Sequence, residues 1–254
     1  MKLEFHKYQG TGNDFVLIDN RKHQLRLSKK QIETLTDRRF GIGADGLILI
    51  ENHAELDFEM IYYNSDGSRS FCGNGARCAV RFSSFLGICK KEARFLAVDG
   101  EHQAKITKSA ISIQMSPVDT VEMDGSAFVV DTGSPHFIEF VKDINTSDIV
   151  EKGRAVRYSD KYKKDGINVN LVQEDTLEMR TYERGVEAET LSCGTGATAV
   201  ALAYAEKHDL NGLVALDIKV RGGFLQVAFN REESFKDIFL KGPAEKVFSG
   251  VYDL

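Results

Sequence analysis

The sequence predicts an α+β protein of two similar, pseudo-symmetric domains, each with a mixed or antiparallel sheet wrapped around a central helix. Strand-like segments outnumber helical ones along the 254 residues. One helical segment is apolar on nearly every face, which is typical of a helix buried on all sides. A Cys-Gly-x-Gly-Ala segment also occurs twice, about half a chain apart. Together these observations indicate a repeated unit of a sheet around a helix.

Strand-like segments, several with alternating apolar and polar residues, occupy most of both halves. In the first half they are Leu3–Tyr8, Phe15–Asp19, Leu47–Glu51, Phe58–Asn64, Ala93–Val98, Gln103–Thr107 and Ile111–Met115. In the second half they are Phe128–Asp131, Phe137–Val141, Ile167–Gln173, Leu177–Glu183, Ala215–Val220, Phe224–Phe229 and Ile238–Leu240. Gly222-Gly223 and Glu174-Asp175 separate neighbouring segments and are typical of hairpin turns.

Three segments have helical character. The first begins at a capping box, Ser28-Lys29-Lys30-Gln31, and continues to about Arg39. The second and third predicted helices are Gly73–Phe85 and Gly194–Lys207. The body of the third, ATAVALAYA, is the segment that is apolar nearly all round. The polar region 145–165 receives no predicted element.

The second and third helices begin with similar sequences. Cys72-Gly73-Asn74-Gly75-Ala76-Arg77 and Cys193-Gly194-Thr195-Gly196-Ala197-Thr198 agree at four of six positions and lie 121 residues apart. This repeat predicts two homologous halves, residues 1–118 and 119–254, each with one central helix. The last residues, from about 246, are expected to return to the first half.

Composition limits the classes of function. Lysine and arginine number 33 against 38 aspartate and glutamate, a net charge of −5, whereas nucleic-acid binders usually carry a basic excess. No apolar run reaches the roughly 18 residues of a membrane span. The N-terminal MKLEFHKY lacks the apolar stretch of a signal peptide. We therefore expect a cytoplasmic protein with no nucleic-acid or membrane partner.

The four cysteines fall into two kinds. Cys72 and Cys193 precede the two predicted central helices, whereas Cys78 and Cys89 are expected to be small buried core residues. No CxxC pair and no closely spaced histidine pair is present, so no metal site is predicted. Structural disulfides are not expected in a reducing compartment.

A second glycine motif, Gly41-Ile42-Gly43-Ala44-Asp45-Gly46, matches the GxGxxG pattern of dinucleotide-binding proteins. That motif functions only between a strand and the helix that follows it. Here a predicted helix precedes the motif and a strand follows it. A glycine-rich loop is therefore the better interpretation, and no nucleotide cofactor is predicted.

A cysteine at a helix start has particular chemistry. The helix N-terminus presents unpaired N–H groups and a partial positive charge, so it stabilises a thiolate and binds carboxylates. If the two halves face each other, two thiols would flank one cleft that also binds a carboxylate. One thiolate could then remove an α-proton while the opposite thiol returned a proton to the other face. This arrangement predicts racemisation or epimerisation at an α-carbon without a cofactor.

Several segments match, in order, the motifs of one enzyme family. They are Tyr8-Gln9-Gly10-Thr11-Gly12-Asn13-Asp14-Phe15, Tyr63-Asn64-Ser65-Asp66-Gly67-Ser68, Cys72-Gly73-Asn74-Gly75-Ala76-Arg77-Cys78, Tyr182-Glu183-Arg184-Gly185, Cys193-Gly194-Thr195-Gly196-Ala197, Gly242-Pro243-Ala244 and Val247-Phe248. In these segments, from end to end, the sequence resembles the diaminopimelate epimerase family.

The resemblance implies which residues act. Cys72 and Cys193 would be the acid and base thiols, and His136 and Glu183 would support catalysis. The remaining residues would bind the substrate: Gly73, Asn74, Gly194 and Thr195 at the helix starts, the amides Asn13, Asn64 and Asn168, and the pair Glu183 and Arg184. The Arg184 guanidinium would suit the distal carboxylate, because it can bind one bidentately.

The resemblance also implies the reaction. The protein would interconvert LL-2,6-diaminopimelate and meso-2,6-diaminopimelate in lysine and peptidoglycan precursor biosynthesis. It would act as a homodimer, with no cofactor and no metal.

The residues by themselves leave other interpretations open. Asn13 and Asn64 are also typical turn residues, and His136 would suit a loop. Glu183 and Arg184 could form a surface ion pair. The assignment of these five residues to a site therefore depends on the resemblance.

Two other functions fit parts of the sequence. A proline or hydroxyproline racemase-like enzyme would share the paired thiols, but a cyclic imino acid needs no distal carboxylate site, so Arg184 argues against it. A non-catalytic thiol-redox protein would join Cys72 and Cys193 in a reversible disulfide. The chain departs from the family's pattern at Ser134, where asparagine is frequent, and at Gly46, where some members carry glutamine.

Overall fold

The chain folds into two compact units. The computed structural model describes residues 2–22 and 24–254. The first unit comprises Met1–Ile113 together with the C-terminal Gly242–Leu254, and the second comprises Gln114–Lys241. The predicted α+β class with two domains is confirmed.

The first unit is a mixed sheet with two helices, α1 (Lys29–Thr36) and α2 (Gly73–Phe85). Its strands are β1 (Lys2–Gly10), β2 (Asn13–Asp19), β3 (Gly46–Glu51), β4 (Phe58–Asn64), β5 (Glu92–Ala97), β6 (Gly100–Ile106), β7 (Ile111–Gln114) and the C-terminal β17 (Glu245–Asp253). They pair in the order β17-β1-β2-β3-β4-β5-β6-β7. The β2–β3 and β4–β5 pairs are parallel and the others are antiparallel.

The second unit is also a mixed sheet with two helices, α3 (Ile149–Arg157) and α4 (Gly194–Lys207). Its strands are β8 (Glu122–Asp124), β9 (Ala127–Asp131), β10 (Pro135–Val141), β11 (Asn168–Gln173), β12 (Glu178–Glu183), β13 (Ala188–Thr190), β14 (Gly212–Val220), β15 (Gly223–Arg231) and β16 (Phe235–Gly242). The order is β8-β9-β10-β11-β12-β14-β15-β16, with β13 paired to β12.

The two units have the same succession of strand pairs. In the second unit β10–β11 and β12–β14 are parallel and the other pairs are antiparallel. The parallel pairs therefore fall at the same two places in each eight-strand order. This shared topology is what a duplicated unit predicts.

Each unit packs its strands against one helix. In the first unit α2 contacts β1, β2, β3, β4 and β6, and in the second α4 contacts β9, β10, β11, β14 and β15. Ten of the 14 residues of α4 are buried, as its apolar sequence predicts. Side chains such as Phe82 on α2 and Leu202 on α4 are fully buried, and each contributes about 1.5–3 kcal/mol to folding.

Most predicted helix boundaries and turns are confirmed. The capping box at Ser28 is present, and α2 and α4 begin and end where the sequence predicts. The turns at Glu174-Asp175 and Gly222-Gly223 connect antiparallel strand pairs. Cys78 and Cys89 are buried in the core of the first unit.

Three details differ from the predictions. Helix α1 ends at Thr36 and not near Arg39, because Asp37 leaves the helical conformation. Its carboxylate then accepts the backbone N–H of Arg39 and of Phe40. Helix α3 lies in the region without a predicted element, since only two of its residues are buried and Gly153 in its interior disfavours a helix. The strands β8, β13 and β17 were also not predicted.

Among residues 2–22 and 24–254, none of the helices has both the length and the apolar character that a membrane span requires.

Candidate active site

The first candidate thiol, Cys72, is the N-cap residue of α2. Its backbone is extended, with φ −134° and ψ 113°, and its sulphur accepts a hydrogen bond from the N–H of Gly75 at 3.4 Å. Gly73, the first helical residue, is buried. The thiol thus lies at the positive end of the helix, where negative charge is stabilised.

Asn13 and Asn74 complete the group around Cys72. The Oδ1 atom of Asn13 lies 3.6 Å from the Cys72 sulphur and accepts a hydrogen bond from Nδ2 of Asn74 at 3.2 Å. Asn13 begins β2 directly after Thr11 and Gly12, which have φ values of 52° and 87° and form a tight turn. The structure therefore brings three of the predicted site residues together.

Asp45 holds Asn13 from its other side. Its Oδ2 atom accepts a hydrogen bond from Nδ2 of Asn13 at 2.6 Å, so the Asn13 amide must present its oxygen to Cys72. Arg38 donates to Oδ1 of Asp45 at 2.6 Å. This role of Asp45 was not predicted, although Asp45 is the one acidic residue within the glycine-rich Gly41–Gly46 segment.

Asp14 connects the loop that contains Arg38 and Asp45 to strand β1. Its carboxylate lies 2.7 Å from Nζ of Lys7 and 2.7 Å from Nη2 of Arg38. Burial raises the pKa of the Asp14 carboxyl, but hydrogen bonds from Arg38 and Lys7 outweigh burial and lower the pKa to about 2. Asp14 is therefore charged at neutral pH and anchors the loop that carries Asp45.

Arg77 lies fully buried one turn into α2. It donates hydrogen bonds to Oδ1 of Asn74 at 2.8 Å, Oγ1 of Thr11 at 3.2 Å and the carbonyl of Pro243 at 3.3 Å. The first of these bonds turns the NH₂ group of Asn74 toward Asn13. Arg77 thereby joins α2 to the N-terminal turn and to the C-terminal segment of the first unit.

Asn64, a predicted substrate contact, organises the loop after β4. Its Nδ2 atom donates to the hydroxyls of Ser68 and Ser70 at 3.0 and 3.1 Å, and its Oδ1 atom accepts from the Tyr62 hydroxyl at 2.9 Å. The Tyr62 ring fills the space beside Gly46, because a Cβ atom at position 46 would lie 2.4 Å from it. The Tyr62 ring therefore occupies the space that a side chain at position 46 would need.

The two core cysteines are poor candidates for acid–base chemistry. Burial raises the pKa of the Cys78 thiol and raises that of Cys89 to about 11. Both therefore stay protonated at neutral pH.

The second candidate thiol, Cys193, is the N-cap residue of α4. Its backbone resembles that of Cys72, with φ −124° and ψ 111°, and Gly194 after it is buried. The Cys193 sulphur lies 3.5 Å from Oγ1 of Thr195. Thr132 donates to the carbonyl of Thr195 at 2.9 Å, which ties the start of α4 to the end of β9.

His136 packs against the start of α4. Its Nε2 atom lies 2.9 Å from Oγ1 of Thr195, and its Nδ1 atom lies 3.2 Å from Nδ2 of Asn170. Burial, and then the charge of Arg184, lower the pKa of His136 to about 3. The imidazole is therefore neutral at neutral pH. Asn170 was missed, although an asparagine between apolar residues of a buried strand is a recognisable signal.

Asn168 and Arg184 form a second polar group in this unit, joined through Ser134. Asn168 donates to Oγ of Ser134 at 2.8 Å and accepts the backbone N–H of Arg184 at 2.9 Å. The Arg184 guanidinium donates to the same Oγ at 3.3 Å and to the carbonyl of Asp165 at 2.9 Å. Both acceptors are neutral oxygens. Glu183, half-buried at the end of β12, precedes Arg184.

Three local groups of predicted residues are thus observed. One surrounds Cys72 in the first unit, and the others contain Cys193 and Arg184 in the second. Within residues 2–22 and 24–254, no group of three or more histidine, cysteine, aspartate or glutamate side chains is placed to hold a metal ion.

The buried His136 should make stability depend on pH. Between its folded-state pKa of about 3 and the ordinary value of 6.5, the unfolded chain binds a proton that the folded chain does not. The stabilisation is therefore complete above pH 6.5 and is lost as pH falls, at up to about 1.4 kcal/mol per pH unit. We expect His136→Gln to reduce the difference in unfolding free energy between pH 7 and 5 by about 2 kcal/mol.

Urea titrations at both pH values measure this effect. Groups that His136→Gln leaves in place, including Asp14, contribute equally to both proteins and cancel. The matched control is His208→Gln on the surface, which removes a histidine paired with Glu174 and should not reproduce the reduction. Identical pH dependence in wild type and His136→Gln would contradict the neutral, buried state.

The fold and the paired helix starts define a structural class. A phenazine biosynthesis protein of the PhzF family from Bacillus anthracis superposes with a TM-score of 0.80 at 12% identity, covering 100% of both chains. A hydroxyproline epimerase from Agrobacterium vitis superposes with a TM-score of 0.67 at 12% identity, covering 99% of this chain and 91% of that one. The chain shares their two-domain fold.

Sequence comparison gives the family. The profile described as "Diaminopimelate epimerase" matches residues 5–121 and 128–247. A diaminopimelate epimerase from Flavobacterium psychrophilum is 50% identical over 256 residues, covering 97% of this chain and 98% of that protein. The chain belongs to the diaminopimelate epimerase family, and the resemblance seen in its motifs is confirmed.

Proposed function

We propose that the protein is a cofactor-independent epimerase that interconverts LL-2,6-diaminopimelate and meso-2,6-diaminopimelate with two thiols. Its place would be in lysine and peptidoglycan precursor biosynthesis. One observation carries the proposal: each unit places a cysteine at the N-cap of its buried central helix. The 50% identity to a diaminopimelate epimerase supports this substrate.

The helix starts would bind the reacting carboxylate. The backbone N–H groups of Gly73 and Asn74, and of Gly194 and Thr195, belong to the first turns of α2 and α4, where the N–H groups point out of the helix end. Such groups favour a carboxylate and, more strongly, the additional negative charge that develops on it when the α-proton leaves. Removing one donor of this kind typically costs about 2.7–4 kcal/mol of transition-state stabilisation.

The proton transfers would use Cys72 and Cys193 on opposite faces of the α-carbon. The thiolate forms an S–H bond as the Cα–H bond breaks, and the electron pair passes into the carboxylate. The other thiol then loses its proton as a new Cα–H bond forms on the opposite face. The two sulphurs thereby exchange protonation states, and the α-carbon is inverted without any external acid, base or oxidant.

The remaining site residues would hold the substrate and tune the thiols. Asn13 lies beside Cys72, and His136 reaches Cys193 through Thr195. Asn64, Asn168 and Glu183 would bind other polar groups of the substrate, as the family resemblance implies. Glu183 is also proposed to support catalysis.

Arg184 would bind the distal carboxylate of the substrate. The guanidinium donates to two neutral oxygens, and neither of these oxygens neutralises its positive charge. Arg184→Gln should raise KM for diaminopimelate by roughly 10–100-fold, the cost of a charge-assisted hydrogen bond, with a smaller change in kcat. Steady-state kinetics measure both constants.

Arg180→Gln is the matched control, because Arg180 on β12 binds Glu189 at 2.7 Å. It should leave KM near the wild-type value. An unchanged KM in Arg184→Gln, or an equal rise in the control, would contradict the proposed contact.

A direct assay tests the proposed function and separates it from the alternatives. Reduced protein is incubated with LL-diaminopimelate, L-proline or trans-4-hydroxy-L-proline, and the stereoisomers are separated by chiral chromatography. We expect meso-diaminopimelate to form and both imino acids to remain unchanged. Inversion of an imino acid alone would favour the racemase, and no inversion of any substrate with intact thiols would favour a redox role.

The proposal extends to location and assembly. The composition and the N-terminal sequence predict a cytoplasmic protein, and the family resemblance implies a homodimer without cofactor or metal. Exposed Val247, Phe248 and Val251 on β17 are apolar residues that a second copy would cover. Light scattering on purified protein should give twice the chain mass of 28.3 kDa, and a monomeric mass would contradict this part of the proposal.

A further inference from the structure

We propose that Asn170 is a positioning residue that holds His136 as the neutral Nε2–H tautomer and so directs the Thr195 hydroxyl proton to the Cys193 sulphur. Its significance for catalysis rests on the proposed function, whereas the tautomer itself does not. The inference follows from which atoms can donate and which can only accept.

The orientation of the Asn170 amide is fixed. Its side chain is fully buried on β11. Nδ2 lies 3.1 Å from the carbonyl oxygen of Phe137, which can only accept a hydrogen bond, so the NH₂ group must face it. The opposite atom, Oδ1, accepts from the hydroxyl of Thr181 at 2.9 Å. Flipping the amide would place two acceptors together.

The fixed amide determines the tautomer of His136. The same Nδ2 group donates to Nδ1 of His136 at 3.2 Å, so Nδ1 must be the unprotonated, accepting nitrogen. The ring proton therefore resides on Nε2. This N–H donates to Oγ1 of Thr195 at 2.9 Å. The low pKa of His136 keeps the ring from gaining a second proton at neutral pH.

The tautomer in turn orients the Thr195 hydroxyl. Because its oxygen accepts from His136, its own proton points to another acceptor, and the Cys193 sulphur lies 3.5 Å away. A donor aimed at sulphur stabilises the thiolate relative to the thiol. The positive charge of Arg184 also lowers the pKa of His136, so it favours the neutral ring as burial does.

The two thiols consequently have different hydrogen-bonding partners. The Cys193 sulphur receives a hydroxyl donor, whereas the Cys72 sulphur faces the Asn13 oxygen, which can only accept. Cys72 also accepts the N–H of Gly75, and its charge interacts with those of Arg77 and Cys78 on α2. The Thr195 hydroxyl thus favours the thiolate at Cys193, whereas at Cys72 the Asn13 oxygen favours the thiol and the Gly75 N–H acts in the opposite sense.

Nitrogen-15 NMR of histidine-labelled protein tests the tautomer without substrate. The long-range couplings from ring protons distinguish the Nε2–H, Nδ1–H and doubly protonated forms, and His136→Gln identifies the His136 signals. We expect the Nε2–H form alone from pH 6 to 8. An Nδ1–H or doubly protonated ring in the wild type would overturn the proposal.

Two variants separate the Asn170 donor from general damage to the network. Asn170→Leu removes the donor to Nδ1, and His136 should lose its single-tautomer pattern. Thr181→Val is the matched control, since it removes the hydroxyl on the other side of Asn170 and leaves the NH₂ group fixed by Phe137. It should retain the Nε2–H form, and a control that changes the tautomer as Asn170→Leu does would overturn the assignment to Asn170.

The pH profile of kcat/KM tests the consequence for Cys193. Losing the hydroxyl donor makes Cys193 a weaker acid, so the acid limb of the coupled thiol pair should move up by about one pH unit in Asn170→Leu and in Thr195→Val. Thr195→Ser should restore the wild-type limb. An unmoved limb in both variants would overturn the relay, whereas an inactive wild type would overturn the proposed function and leave the tautomer result standing.

Discussion

Replacing either Cys72 or Cys193 by alanine is expected to lower kcat for epimerisation by roughly 10²–10⁴-fold, the usual contribution of one general acid or base. Each thiol would serve as base in one direction and acid in the other, so both directions should suffer. Serine should not restore activity, because its hydroxyl is far less acidic than a thiol. Steady-state assays in both directions measure the loss.

Cys89→Ala is the matched control for this experiment. Cys89 is 5% exposed in the core of the first unit, and its thiol is protonated at neutral pH because burial raises its pKa. The variant should cost stability through a small cavity and leave kcat within about threefold of wild type. Activity within tenfold of wild type for either Cys72→Ala or Cys193→Ala would refute the two-thiol scheme.

Replacing Arg77 by alanine is expected to destabilise the protein by about 3–5 kcal/mol. The change leaves a cavity and deprives Asn74, Thr11 and the Pro243 carbonyl of a buried donor. Removal of a buried positive charge opposes this loss, but the cavity and the loss of three hydrogen bonds from the buried guanidinium outweigh it. For a domain whose total stability is about 5–15 kcal/mol, this is a large fraction.

Urea unfolding of Arg77→Ala and Arg81→Ala measures the effect. Arg81 lies one turn later on α2 and makes a solvent-exposed hydrogen bond to the carbonyl of Thr107. Its removal should cost less than about 1 kcal/mol. Equal destabilisation by the two substitutions would contradict the role assigned to the buried guanidinium.

The sequence predicts the central helices well because their signals are local. Cys72 and Cys193 each precede a glycine and a long run of helix-compatible residues, and the observed helices begin directly after them. The duplication can be predicted for the same reason, because it is visible as two short segments of similar sequence. Helix α3 was missed because only two of its residues are buried and because Gly153, a poor helix former, lies in its interior.

The site is only partly predictable, because several roles depend on contacts between distant segments. Asp45 acts on Asn13 from 32 residues away, and Asn170 acts on His136 from 34 residues away. Ser134 links two predicted residues, Asn168 and Arg184, that sequence alone does not join. The roles of these three residues become clear only when hydrogen-bond donors and acceptors are matched in the folded protein.

The central claim is that two thiols invert the α-carbon from opposite faces, and early-time reaction in heavy water tests it most directly. LL-diaminopimelate is incubated with reduced protein in D₂O, and the α-protons of substrate and product are followed by NMR. A two-base mechanism predicts that the first meso product carries deuterium at the inverted carbon while the remaining LL substrate keeps its proton. Meso product that retains the substrate's proton, or LL substrate that exchanges as fast as product forms, would contradict it.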